Sequence, residues 1–134
     1  MDSKMIGYIV HRYGTADPFR IADELGVDLR WADLGANVMG KTQYMLGQPV
    51  VMLNEAVHDS NQRYYVMAHE LGHVILHADV ASFYKITSHG DSKAEYEADQ
   101  FASALMVRLY WEEHSELPDC VSDLTHEYGV PDTL

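Results

Sequence analysis

The chain has 134 residues, 47% of them apolar, which is enough for one compact domain with a real core and too few for two ordinary ones. Twenty-one acidic residues against nine Lys and Arg give a formal net charge of −12, which repels phosphate backbones and argues against direct nucleic-acid binding. The lone Cys120 cannot form an internal disulfide, and the apolar patch MIGYIV near the start is too brief for a signal segment or a membrane span, so a reducing, cytoplasmic setting without a membrane is expected.

No repeat or low-complexity tract interrupts the sequence, and the four prolines lie singly at 18, 49, 118 and 131. The stretch TADPFRIADELGV predicts a short helix over 17–26. Asp17 can cap it, Pro18 suits the first helical position, Phe19, Ile21, Ala22 and Leu25 form a stripe, and Gly26 can end it. The segments VDLRWADLG, KTQYMLG and QPVVMLN then alternate between turn signals at Gly35, Gly40 and Gly47 to Pro49. They predict three short strands in an antiparallel sheet. A central helix is expected over 59–77, with Asp59 and Ser60 as capping candidates. The stretch SFYKITSHGDS leads to a second long helix over 92–111, and PDCVSDLTHEYG gives a last short helix. The expected fold class is α+β, as a single domain over 1–134.

The central helix carries the chemistry, in YYVMAHELGHVILHAD. His69 and His73 are four residues apart, so on a helix they face the same way with Cβ atoms about 5–6 Å apart, a spacing from which two imidazoles can share one zinc. Glu70 stands where the carboxylate of an H-E-x-x-H site takes the proton of a metal-activated water without ligating the metal. A buried histidine is more often a hydrogen-bonded core residue than a ligand. Against that plain reading stand the apolar residues at 66, 67, 71, 74, 75 and 76, which bury the motif, and a third-ligand candidate on the next helix.

His77 repeats the four-residue step, but a straight helix separates it from His69 by about 12 Å, too far for one zinc with bonds near 2 Å. It is expected to play a supporting or structural part. The metzincin pattern is excluded, because Leu76 and Asp79 replace its glycine and third histidine. The better source is KAEYEADQFASAL. There Glu95 shares a face with Ala98, Asp99, Ala102, Leu105 and Met106, whereas Glu97 lies with Gln100, Ala104 and Arg108 on a face that reads as solvated. Glu95 is thus the expected third ligand, and Asp99, one turn later, can accept the free N–H of a ligating histidine.

RYYVMAHELGHVILH followed by EYEADQFASALM resembles the ImmA/IrrE-type metallopeptidases, whose pattern is an arginine and aromatic residues before A-H-E-L-G-H-x-x-L-H, then E-x-E-A-(N/D)-x-F-A-x-x-L-M-P. DPFRIADELGV, PVVMLNE and VSDLTHEYGVP are also similar to that family's N-terminal helix, the strand before its motif and its C-terminal helix. The resemblance implies zinc held by His69, His73 and Glu95, Glu70 as base and Asp99 as support. It departs at Val107, where the family has proline, so the second long helix is expected to run on through Leu109 and Trp111. The C-terminal stretch also stops at GVPDTL, where relatives continue into a longer helix.

Characterised members of that family are cytoplasmic proteases, often of phages and mobile elements, that cleave a helix-turn-helix repressor. The resemblance implies the same substrate class here, as a separate chain, since no basic helix-turn-helix pattern is present. Candidates for a second oxyanion donor are His89, Tyr84, Tyr96 and Arg108, unranked by spacing. The rivals to a zinc endopeptidase are a zinc-stabilised interaction or sensor module, and a peptidase acting on short peptides. Glu70 speaks against the former, because a purely structural zinc site needs no carboxylate beside its first histidine.

Overall fold

A computed structural model describes residues 3–78, 82–85 and 92–132. Its elements in chain order are α1 (Ser3–Tyr13), α2 (Pro18–Glu24), β1 (Asp28–Ala32), β2 (Val38–Met45), β3 (Gln48–Asn54), a 3-10 turn (Glu55–Val57), α3 (Gln62–Leu76), β4 (Ser82–Lys85), α4 (Lys93–His114) and α5 (Val121–Tyr128). The class is α+β, as expected. Among the described residues no helix is long and apolar enough to cross a membrane.

Local chemistry explains most of the boundaries. Asp17 caps α2 by accepting a hydrogen bond from Phe19 N at 2.9 Å, and Pro18 takes the first helical position. At the start of α3 neither expected residue is the cap: that position is Asn61, whose side chain makes no capping hydrogen bond. Ser60 Oγ accepts from Gln62 N at 3.1 Å, but Asp59 instead meets His58 Nδ1 at 3.0 Å. With Val107 in place of proline nothing breaks α4, which runs on to His114. The patch MIGYIV belongs to a helix that was not anticipated, α1, with Ile6 and Ile9 one turn apart and both buried.

The sheet corrects the antiparallel expectation. Strand order is β1-β3-β2-β4, with β2 antiparallel to β3 and β4 but β1 parallel to β3. Alternating apolar residues mark a half-buried strand in either direction, so the pattern in VDLRWADLG could not distinguish the two. The connection from β1 passes the end of β3 before entering β2. Asn54, buried at that end, holds it by donating to the carbonyls of Gly35 and Val38, both at 2.8 Å. The β2–β3 hairpin turns on Leu46 and Gly47, whose φ values of 52° and 81° suit a tight two-residue turn. The fourth strand, β4, adds to β2 from within the stretch read only as a connection.

Helix α3 packs on β2 and β3 and against α4. Every residue from Tyr65 to His73 is buried, the polar His69, Glu70 and His73 among them. The α3–α4 approach is close because Gly72 faces Phe101, whose Cδ1 would lie 3.1 Å from an added Cβ. This contact brings the start of α4 beside the middle of α3.

Candidate metal centre

The four-residue step of α3 brings the His69 and His73 rings to a centroid distance of 4.9 Å, with their Nε2 atoms 3.2 Å apart. Glu95 comes from the first turn of α4, where Ser92 Oγ caps the helix by accepting from Glu95 N at 3.1 Å. Its Oε2 lies 3.0 Å from His69 Nε2 and its Oε1 2.9 Å from His73 Nε2. One donor atom from each residue thus lies within 4.8 Å of the others. The inward stripe expected for Glu95 is present, with Ala98, Asp99, Ala102, Leu105 and Met106 all buried.

The far nitrogen of each ring is also engaged. His69 Nδ1 is 2.8 Å from Asp99 Oδ1, to which Tyr65 also donates its hydroxyl at 3.1 Å. His73 Nδ1 is 3.0 Å from His77 Nδ1, and His77 Nε2 is 3.1 Å from Glu97 Oε1. Asp99 therefore stands where it was expected. Glu97 does not fit the plain solvated role: its side chain is 43% exposed, yet it meets His77. A helical-wheel argument treats α4 alone and misses a partner arriving from the end of α3.

The donor set fits a metal ion. Asp99 can accept from His69 Nδ1–H, so that once the ring is neutral its Nε2 would offer a lone pair beside Glu95 and His73. Tetrahedral zinc with bonds near 2 Å would separate its ligand atoms by about 3.3 Å, close to the 2.9–3.2 Å found between these three. Such a cluster favours a cation. Burial pulls the His69 imidazolium down, but Asp99, Glu95 and Glu70 more than offset it and raise its pKa to about 9. Burial likewise pushes Glu95 up, and contacts from His69 and His73 overcome it, bringing the carboxyl down to about 2. A metal would compete with the proton held there.

Glu70, the residue after His69 on α3, is fully buried and close enough to His69, His73 and Glu95 to feel their charges. Thr42 donates its hydroxyl to Glu70 Oε1 at 2.7 Å, while Oε2 has no hydrogen-bond partner among the described residues. Gly40 lines the same place: a Cβ there would lie 3.2 Å from Glu70 Cγ and 3.3 Å from Oε2. Burial raises the Glu70 pKa, with His69 and the Thr42 bond acting against it. Thr42 was not anticipated. The signal was available, because Gly40 and Thr42 share one face of a strand by the period of two.

The oxyanion-donor candidates fare differently. His89 and the side chain of Tyr84 lie outside the described residues. Tyr96 is 55% exposed. Arg108, about 20 Å along α4 from Glu95 by helix rise, has its guanidinium 5.7 Å from the centroid of the Trp111 ring, away from the cluster.

Two comparisons with known proteins bear on this geometry. A curated relative from Bacillus phage phi105, named "Uncharacterized immunity region protein 2", is 27% identical over 101 residues, covering 74% of this chain and 63% of the relative. The match thus spans less than two thirds of that relative's length. Residues 22–131 match the peptidase family M78, described as the IrrE N-terminal-like domain, a span that holds α3, α4 and all three converging donors. The chain belongs to this family of peptidases, the one its motifs resemble.

Proposed function

We propose that this chain is a zinc-dependent endopeptidase in which His69, His73 and Glu95 hold the metal and Glu70 is the general base. The observation that carries the reading is the pairing of three convergent donors with a buried Glu70 on the same helix, one carboxylate oxygen tied and the other without a partner among the described residues. Bound at those donors, zinc would supply Lewis acidity, acidifying a water and stabilising negative charge on the oxygen of a scissile peptide carbonyl. Glu70 Oε2 takes the proton of that water as its oxygen adds to the carbonyl carbon, then hands it to the peptide nitrogen as the C–N bond breaks. Thr42 restrains Oε1 and so keeps Oε2 directed at the water. The raised pKa of Glu70 suits both halves of this proton transfer near neutral pH.

For the substrate we infer a helix-turn-helix repressor of a phage or other mobile element, on a separate chain and in the cytoplasm. The immunity-region name of the phage relative and the substrate class implied by the motif resemblance support this. The formal net charge of −12 suits a basic DNA-binding partner and disfavours direct contact with nucleic acid. The test is to incubate wild type and Glu70→Gln with the repressor encoded beside the gene and follow fragments by mass spectrometry, with and without a chelator. Chelator-sensitive fragments from wild type alone are expected, with binding retained in the variant. Tight binding by both forms without cutting would replace this reading with the zinc-stabilised interaction module.

A further inference from the structure

His77 and Glu97 stand outside the three converging donors but continue the site outward. His77 ends α3 with φ −128° and ψ 49°, and its backbone N–H still reaches His73 O at 2.8 Å. That turn lays its ring against His73, with centroids 5.1 Å apart and Nδ1 facing Nδ1 at 3.0 Å. The His77 side chain is 14% exposed, whereas the Glu97 carboxylate it meets at 3.1 Å is 43% exposed.

These contacts have a polarity. An ionised carboxylate can only accept, so Glu97 selects the His77 tautomer with its proton on Nε2. Neutral His77 then presents a bare Nδ1, which can only accept from His73 Nδ1–H. With its proton held there, neutral His73 has a bare Nε2, the atom 2.9 Å from Glu95 Oε1. The opposite polarity, with His77 Nδ1–H donating, would put the proton of neutral His73 at Nε2, among the donor atoms. We propose that Glu97 and His77 are positioning residues that fix the tautomer and ring orientation of His73, so that its Nε2 is available to the metal. The inference rests on the metal-centre reading above and extends it from α3 to a partly exposed carboxylate on α4.

The test is zinc affinity of the whole chain, by chelator competition, in wild type, His77→Phe, Glu97→Ala and the double variant. Each single change is expected to weaken zinc by about 10–100-fold. The double variant should be no weaker than His77→Phe, because Glu97 acts through the ring. A Glu97→Ala effect that persists undiminished in the His77→Phe background would mean a nearby charge only, and would overturn the proposal. Unchanged affinity in both single variants, while wild type binds zinc, would also overturn it and leave the metal centre standing. Wild type that binds no zinc would remove the metal centre and this inference together. A readout independent of any variant is proton–nitrogen NMR of the zinc-loaded wild type. His73 should carry its proton on Nδ1 and neutral His77 on Nε2, and any other pair of tautomers contradicts the assignment.

Discussion

At the residue scale the decisive question is what a proton and a metal each do at the same three atoms. His69 is held up to about 9 by Asp99 and Glu95 against the pull of burial, so below that pH zinc must displace a proton from it. Apparent zinc affinity should therefore rise by about tenfold per pH unit until His69 is neutral, which calorimetry in buffers of different ionisation enthalpy would register as about one proton released. An affinity flat between pH 6.5 and 9 would contradict it. The sign for stability is the opposite. In chelator-treated protein the raised His69 contributes stability that is fully present below 6.5 and lost as pH rises through about 9. The melting temperature should fall across that window without zinc and hold with it. Thr42→Val should keep zinc and fold but lower kcat about tenfold or more, by analogy with the loss of other supporting hydrogen bonds, whereas Thr42→Ser should recover it. Equal kcat in both variants would show that the hydrogen bond to Glu70 is idle.

At the element scale the site depends on how closely α3 and α4 approach, because His69 and His73 come from one and Glu95 from the other. Gly72→Ala would place a Cβ 3.1 Å from Phe101 Cδ1. It should destabilise the chain by about 1–3 kcal/mol and weaken zinc as the helices part, which denaturant unfolding and metal titration would measure together. Normal stability with normal zinc affinity would mean that the helices have slack there. Both helices and the inward placement of Glu95 beside His69 and His73 were legible in the sequence, because periodicity reports which face of a helix is buried. What periodicity does not carry is direction or partnership. It could not tell that β1 runs parallel to β3, that β4 pairs with β2, or that Glu97 receives His77.

At the scale of the whole molecule, α1 is the element that sequence reading treated as an apolar patch, since six residues are too few to display a helical period. In the fold it packs on α4, with Ile6 and Ile9 in the same core cluster as Phe101, Leu105 and Leu109. Ile9→Ala should cost about 2–5 kcal/mol although it lies before the family match at residue 22. We expect thermal unfolding to remain a single cooperative transition, consistent with one domain over the whole chain. Two separated transitions, or no loss in Ile9→Ala, would mean that α1 is an appendage.

The account stands on three side chains holding one zinc, so the most direct measurement is metal content of the purified protein and its variants. Wild type should carry about one zinc per chain, His69→Ala and His73→Ala should each lose it, and Glu95→Gln should lose far more than Glu97→Gln, whose amide oxygen can still accept from His77. Full zinc in either histidine variant, or greater loss from Glu97→Gln than from Glu95→Gln, would contradict it.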